Sequence, residues 1–479
     1  MKSITTKSAR LRPAIAGAVF GVMIIVLVAW NPRSSAAQDP VTQSTISSQD
    51  DDERSPEQSV IRVGEVEGLG CEHHPCNDVA LGRKAFHDRS LKDLGGNGRS
   101  CADCHMPAGD VYQLSPVQAQ ARFDRLMASR AHNPNADDPL FRPIDADDFR
   151  VNGDSASDYS NLTKLGLIRI TLPLPPGVKL IDPANNQPSN ETFVDVWRAV
   201  PSLLNVRITG PDGVNPISNQ GPGPTGGYQW DGRFLTLQEQ ALNAMLAHAQ
   251  ITSAPTGKLL DQIAAFEGTI FSSDSVRELA EAMEAGISPL PDPEPELTPL
   301  EEQGKAVFNR ACGQCHGNDG SHPSQSTPIE QVFATTMPNV LPRYHRIRDT
   351  CPRPAGFGFA PCSEQMMKNV RAYEITAPNG VKTRITTSDP GRGLLTGNAA
   401  DFGAFDVPQL RGIARTAPYF HNNSAATLEE VLDHYDAFFR FVAATVPTAP
   451  MLTTDGVHID RPPKPEEHAA LLAYLRKLN

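Results

Sequence analysis

Apolar positions spaced three and four residues apart recur in five separate stretches of the chain, and each reads as a helix. "TPLEEQGKAVFNRACGQCH" opens at Thr298 with a capping box: Thr298 as N-cap, Pro299 at the first helical position and Glu301 three residues on. Leu300, Val307, Phe308 and Ala311 then line one face. "DVALGRKAFHDRSL" (78–91) leads in the same way into "SCADCH" (100–105). "GKLLDQIAAFEGTIF" (257–271) and "PEEHAALLAYLRKL" (465–478) are amphipathic and close two halves of the chain. "TLEEVLDHYDAFF" (427–439) carries a Thr427/Glu430 box and a stripe of Leu428, Val431, Leu432 and Phe439. Strand patterns are few. Residues 106–227 are polar and loop-rich, as in "HNPNADDPLFRPIDADDFR" and "GPGPTGG". The expected fold class is therefore mainly α: two similar helical domains in tandem, joined and interrupted by long irregular loops.

Composition adds the boundaries. A basic start (Lys2, Lys7, Arg10, Arg12) precedes an apolar run, Ala14 to Trp30, and a small-residue step at Ser35-Ala36-Ala37. Residues 1–37 thus read as a signal peptide or an uncleaved anchor, and either one exports the body to the periplasm or beyond. The chain touches a membrane only if that segment stays attached. Residues 38–65 ("SSQDDDERSPEQS" within them) have almost nothing to bury and read as a disordered tether. The Pro- and acid-rich stretch 289–297 reads as a stiff linker. It separates an N-terminal domain, 66–288 with the insertion 106–227, from a C-terminal domain, 298–479. Removing residues 1–37, which hold five basic residues and no acid, moves the net charge from −12 to −17. That sign argues against a nucleic-acid surface and suits a small basic redox partner.

The cysteines carry the chemistry. Cys101-x-x-Cys104-His105 and Cys312-x-x-Cys315-His316 share one pattern, and a chain with eight cysteines and 13 histidines would carry far fewer than one by composition alone. Two thiols so spaced add across the vinyl groups of a haem, and the adjacent histidine coordinates the iron. A redox dithiol would want a βαβ context, and zinc would want two further ligands at each site. Two covalent haem c groups follow, with His105 and His316 as proximal ligands. Cys71/Cys76 and Cys351/Cys362 remain as two local pairs, each suited to a disulfide in an exported protein.

"VPSLLN" (200–205), "QWDGRFLTLQEQ" (229–240), "VPQLRGIARTAPYFHN" (407–422) and "ATLEEVLDHY" (426–435) resemble the bacterial di-haem cytochrome c peroxidases and their relative MauG. The resemblance runs from about Gly82 to Asn479 and largely omits 106–227. It implies that the N-terminal haem is catalytic and meets hydrogen peroxide, while the C-terminal haem transfers electrons to it. It also implies that Trp230 bridges the two haems and Gln240 lines the distal pocket. Read without the family, Trp230 is an ordinary core or interface aromatic. The family's glutamate, twenty positions after that tryptophan, is Gln250 here, and the usual proline is Ala244. An amide cannot shuttle protons at neutral pH. His248 is an alternative proton carrier, set against a solvent-facing or supporting role.

The missing acid, the insertion and the apolar edge at Ala244 and Met245 also resemble the rubber-oxygenase branch of the superfamily, which activates dioxygen against a hydrocarbon. For the second iron the resemblance places a sixth ligand fourteen positions after His421, at Tyr435, with the adjacent His434 as the alternative. Tyr435 also falls in the apolar stripe, where a core tyrosine would sit. Met337, Met366, Met367 and Met451 are outside alternatives. His132, the nearest downstream histidine to the first motif, lies in a polar stretch, so the first iron is expected to be open or water-bound. A calcium ion between the domains would use the carbonyls of Thr416 and Pro418, with Ala199 standing where the family has an asparagine. The implied partner is a cytochrome c or cupredoxin that gives or takes electrons, and a homodimer is left open. Three classes compete: a peroxide reductase, an oxygenase or MauG-like oxidase of an organic or protein substrate, and a plain electron carrier.

Overall fold

Two helix crossings organise the chain, and each turns on a glycine. Helix α1 (Cys76–Phe86) lies across a later helix, Gly257–Glu267, so closely that a Cβ on Gly82 would stand 1.7 Å from the Gln262 carbonyl oxygen. Far along the chain, helix Pro299–Ala311 lies across His468–Lys477, and a Cβ on Gly304 would stand 2.0 Å from the Ala470 carbonyl oxygen. Only a residue without a side chain permits backbone contact of this kind. The coordinates, a computed structural model, describe residues 76–91, 93–107, 109, 111–146, 158–211, 226–287, 289–294, 296–316, 344–445 and 462–478. All of these fall in one compact unit, Ile61–Asn479. The leader, the tether, Cys71, Met337 and Met451 lie outside the described residues.

In chain order α1 is followed by α2 (Pro116–Arg130), α3 (Ser160–Leu165), β1 (Leu167–Pro173), β2 (Val178–Asp182), β3 (Gln187–Pro188) and β4 (Phe193–Ala199). Then come α4 (Leu237–Ala247), α5 (Gly257–Glu267), α6 (Asp274–Glu284) and α7 (Pro299–Ala311). The remaining elements used below are β5 (Tyr344–His345), β6 (Arg371–Thr376), β7 (Lys382–Thr387), β8 (Phe405–Asp406), α8 (Leu428–Thr445) and α9 (His468–Lys477). The mainly helical expectation holds, with two corrections. The stretch 106–227 is not a loop-rich connection: Ser115 and Gln118 cap α2 reciprocally, and β1 pairs antiparallel with β4, Leu167 opposite Ala199. Its strands also reach beyond their own neighbourhood. The sheet order β3-β2-β6-β7 sets Val178 opposite Ile375 and Leu180 opposite Tyr373, so a segment before the linker pairs with one after it. The second correction is smaller. Leu300 is exposed and does not share the buried face of Val307, Phe308 and Ala311.

Each motif rests on its own apolar cluster. Phe86, Tyr112, Leu204, Met245, Ile263 and Phe266 gather with Cys101 and Ala102 packed against them. Val307, Phe308, Leu428, Leu432, Leu471 and Tyr474 gather with Cys312 and Tyr435. The Cys351–Cys362 pair is a disulfide, closing a short loop as its spacing suggested. Among the described residues no helix is long and apolar enough to cross a membrane.

Buried ion pairs tie the segments together. Arg411 pairs with Glu294 just before α7, neither reachable by water. Arg198 on β4 is clamped by Asp389 (2.6 and 2.9 Å) and Asp231 (2.7 Å). Gly304→Ala and Gly82→Ala should each cost about 2–3 kcal/mol, since the displaced neighbour is backbone and cannot turn aside. Gly257→Ala, with nothing within 4 Å of the added Cβ, should be neutral or slightly stabilising. Urea titrations of the three variants would separate these outcomes.

Candidate functional site

The two cysteine motifs are presented alike. Ser100 starts the short turn Cys101–Asp103, and the Asp103 carboxylate accepts from the Ser100 N–H (2.9 Å) and hydroxyl (3.0 Å). Arg89 (2.8 Å) and Arg122 (3.1 Å) hold the same carboxylate from outside. Cys101 and Cys104 are unpaired, and burial pushes both thiols up to about 12. Such thiols are protonated at neutral pH, which argues against a redox dithiol. His105 donates Nδ1–H to the Tyr112 carbonyl (3.0 Å), and burial lowers the ring to about 4. A neutral ring with Nδ1 engaged leaves the Nε2 lone pair as the ligand atom.

The second motif repeats this. Cys312 and Cys315 are unpaired, burial raises Cys312 to about 12, and His316 Nδ1 is 3.0 Å from the Pro408 carbonyl with the ring lowered to about 4. Two free thiols beside an imidazole so oriented fit a covalently attached haem at each motif. Among the described residues no group of three or more His, Cys, Asp or Glu gathers as a metal site.

The two motifs differ in the side chains around them. At the first, α4 starts from Thr236, whose hydroxyl accepts from the Glu239 N–H, and it buries Ala241 and Met245 beside Cys101. Gln240 is half-buried on the same helix. The helix stops at Ala247, so His248 and Gln250 sit on a tight exit rather than on the helix itself. Gln250 takes a left-handed φ of +53°, and the segment just before the motif holds it there. The Asn97 side-chain amide donates to the His248 carbonyl (2.9 Å) and to Gln250 Oε1 (3.1 Å), and Asn97 N–H donates to Ala249 O (2.8 Å). With Oε1 engaged, Gln250 offers its amide N–H groups. His248 turns its ring Nδ1 to Asp145 Oδ2 at 2.9 Å, and Asp145 forms a buried ion pair with Arg99. Burial alone would raise the Asp145 carboxyl, but the His248 hydrogen bond and the Arg99 charge hold it below the usual carboxylate range. His248 is near enough to His105 to help depress that ring's proton affinity.

At the second centre α8 separates the two candidate ligands by direction. His434 Nε2 is 2.7 Å from the Ile347 carbonyl, and its other neighbours include the Phe359 and Phe420 rings. Tyr435 packs on the cluster that holds Cys312, and burial pushes its phenol well above the usual range. Adjacent helical residues diverge by roughly 100°, and here that turns Tyr435 toward the motif and His434 aside. Met366 is buried and Met367 exposed on the short helix Glu364–Lys368; His132 is exposed at the end of α2.

Trp230 is fixed by two backbone hydrogen bonds. Its indole N–H donates to the Ala199 carbonyl (2.8 Å), and its own carbonyl accepts from Asp406 N–H (2.9 Å). Asp406 is opposite Tyr344 in the β5–β8 pair, and the next residue, His345, places Nε2 3.8 Å from Cys315 Sγ. Two residues before Trp230, Tyr228 packs on the cluster of the first motif. Thr416 and Pro418 belong to a loop held against the segment after the first motif, where Gln113 donates to the Ala417 carbonyl (2.8 Å) and Arg415 to the Gly109 carbonyl (2.8 Å). Asn97, Arg99, Asp145 and His345 were not foreseen. Asn97 and Arg99 could have been suspected from their place directly before Cys101, whereas nothing local marks Asp145 or His345.

The di-haem cytochrome c peroxidase family model matches residues 76–270, which include the first motif, Trp230, Gln240 and Gln250. Over that span the chain is similar to the di-haem cytochrome c peroxidases, whose family name implies two c-type haems. Cytochrome c551 peroxidase of Nitrosomonas europaea is 46% identical over 56 residues, 11% of this chain and 17% of that protein. Cytochrome-c peroxidase IdrP1 of Denitromonas iodatirespirans is 45% identical over 49 residues, 10% of this chain and 13% of that one. The aligned part thus spans less than a fifth of either curated relative. Among solved structures, a MauG-like protein associated with microbial copper homeostasis is 20% identical, with a TM-score of 0.36 over 84% of this chain and 88% of that one. The diheme peroxidase BthA of Burkholderia thailandensis is 19% identical, with a TM-score of 0.40 over 84% and 86%. At TM-scores below 0.5 neither likeness bears on the site.

Purified protein should hold two covalent haems per chain by pyridine haemochrome assay, and Cys101→Ser/Cys104→Ser should hold one. A second test concerns Glu267, a fully buried carboxyl that burial raises to about 8. Its folded-state value exceeds its unfolded one, so the native state binds the extra proton between about pH 4.5 and 8 and stability falls across that window as pH rises. Glu267→Gln should therefore match the parent at pH 4.5 and exceed it at pH 8.5, as read by denaturant midpoints.

Proposed function

We propose that the protein is an exported di-haem oxidoreductase that reduces hydrogen peroxide, taking electrons from a small cytochrome c or cupredoxin. The reading assigns residues 66–288 to a catalytic haem domain and 298–479 to an electron-transfer domain, with electrons passing from the second centre to the first. The observation that carries it is the asymmetry of two otherwise matched centres. In this reading Gln250, held by Asn97, and His248, held by Asp145, would serve the first centre with Gln240 on the adjoining helix, while the phenol of Tyr435 would serve the second.

Bound at the two motifs, the haems would supply the two redox equivalents that peroxide reduction requires. His105 and His316 would hold the irons through Nε2, each ring fixed by a backbone carbonyl. Tyr435 would be a further ligand of the second iron in preference to His434, whose Nε2 is already engaged by the Ile347 carbonyl. A tyrosinate stabilises ferric iron and so suits a centre that stores an oxidising equivalent. Trp230 stands on the short path from the β5–β8 pair to Tyr228 and serves as the bridge. Gln250 orients the oxygen species by donating from its amide, and the apolar Met245 side of α4 helps exclude water. The carbonyls of Thr416 and Pro418 are kept as a calcium candidate, with no side chain from Ala199 to help.

Gln250 also favours a second reading, a MauG-like oxidase or an oxygenase acting on an organic or protein substrate, because it cannot deliver a proton. Two assays on the purified holoprotein separate these readings: peroxide-dependent oxidation of reduced cytochrome c, and oxygen uptake with unsaturated hydrocarbons. We expect peroxide turnover, lost by at least tenfold in Trp230→Phe. Negligible turnover that Gln250→Glu restores would instead move the protein to the second reading. Tyr435→Phe should change the absorption spectrum of one haem only; an unchanged spectrum would return the ligand to His434.

A further inference from the structure

We propose that Asp145, carried in by the inserted segment, is the positioning residue that makes His248 the proton carrier of the first centre. This rests on the peroxide reading above. The family's glutamate position is Gln250, so an acid–base group must come from elsewhere, and the insertion supplies one as a carboxylate–imidazole pair. His248 Nδ1 is 2.9 Å from Asp145 Oδ2. A carboxylate there selects the tautomer that keeps its hydrogen on Nδ1, which leaves the Nε2 lone pair free. Nε2 makes no hydrogen bond to any described residue, and the ring is only partly exposed.

The pair is fastened through Asp145 Oδ2 and the backbone, while Asp145 Oδ1 is buried without a hydrogen-bond partner. Arg99 and Asp145 are each about 2% exposed, and Arg99 also donates to the carbonyls of Pro139 (2.9 Å) and Leu140 (2.9 Å). The Asp145 carbonyl accepts from Arg169 N–H on β1 (2.7 Å). The His248 carbonyl accepts from Asn97 (2.9 Å) and Arg99 (3.3 Å). Since Arg99 stands two residues before Cys101, the carboxylate is registered against the turn that holds the motif.

The step balances without a further reagent. His248 Nε2 takes the proton from one oxygen of hydrogen peroxide and returns it to the other. The O–O bond breaks with its electron pair on the departing oxygen, which leaves as water. Two electrons from the donor protein and two protons from solvent reduce the remaining oxygen to a second water. Asp145 stays ionised throughout and stabilises the transient imidazolium.

The test uses the haem-loaded protein and two readouts. One is peroxide turnover; the other is the stopped-flow association of hydrogen cyanide, which must lose a proton to bind and needs no turnover. His248→Gln should lower kcat by about a hundredfold, within the usual range for general acid–base catalysis. Asp145→Asn should lower it by about tenfold, with KM little changed and Asp145→Glu partly restoring it. Adding Asp145→Asn to His248→Gln should cost nothing more, and cyanide association should fall in the same order. Should Asp145→Asn lose haem, Arg99→Gln/Asp145→Asn, with no uncompensated buried charge, takes its place in both assays. Full activity and cyanide association in the Asp145 variant, or losses that multiply in the double variant, would overturn the assignment. If the parent turns over no peroxide, the peroxide reading falls. The cyanide series then still decides whether Asp145 positions His248.

Discussion

Arg198 has no access to water, and a buried guanidinium is tolerable only where carboxylates meet it in fixed geometry. Here they come from two places: Asp231, one residue after Trp230, and Asp389, beyond the linker. Arg233 completes the knot by pairing with Asp231 (2.8 and 2.5 Å). Arg198 itself sits on β4, next to the Ala199 whose carbonyl receives the Trp230 indole and whose N–H donates to His421. The position of the tryptophan therefore depends on an electrostatic arrangement that draws on β4, on "WDGR" and on the second half at once. Removing one carboxylate would leave an uncompensated charge in the interior, so the knot specifies geometry at the expense of tolerance to change.

Much of the site was legible because its chemistry is local. Cys-x-x-Cys-His needs no tertiary information, and each motif adopts the turn its spacing implies, with the histidine held through Nδ1. The helices with capping boxes and regular apolar spacing also form where their patterns lie, because short-range capping and one-sided burial agree. The strands were missed for a physical reason. β4 buries Val196, Trp197 and Arg198 in succession, so the alternation that marks a half-exposed strand is absent. β2 finds its partner only beyond the linker, where no window of local sequence could reveal it.

The same contrast explains the distal side. Gln250 could be placed by counting from Trp230, and its departure from the family glutamate was visible at once. Asp145 could not, since nothing about an aspartate in "PIDADD" distinguishes it from its neighbours until Arg99 and His248 close around it. The different surroundings of His434 and Tyr435 likewise needed the direction of α8, which depends on packing against Phe308, Leu471 and Tyr474 rather than on the helix's own sequence.

The β2–β6 pairing has a consequence for how the molecule is made. The first half cannot complete its sheet until β6, on the far side of the linker, has been synthesised. Its glycine crossing, α1 on α5, and the cysteine turn involve only earlier residues, so they can form first. Chemistry at the first motif therefore need not wait for the second half of the chain, whereas the pairing of β2 must. Long-range strand pairing of this kind is slow to form, which leaves time for the attachment chemistry before the structure closes.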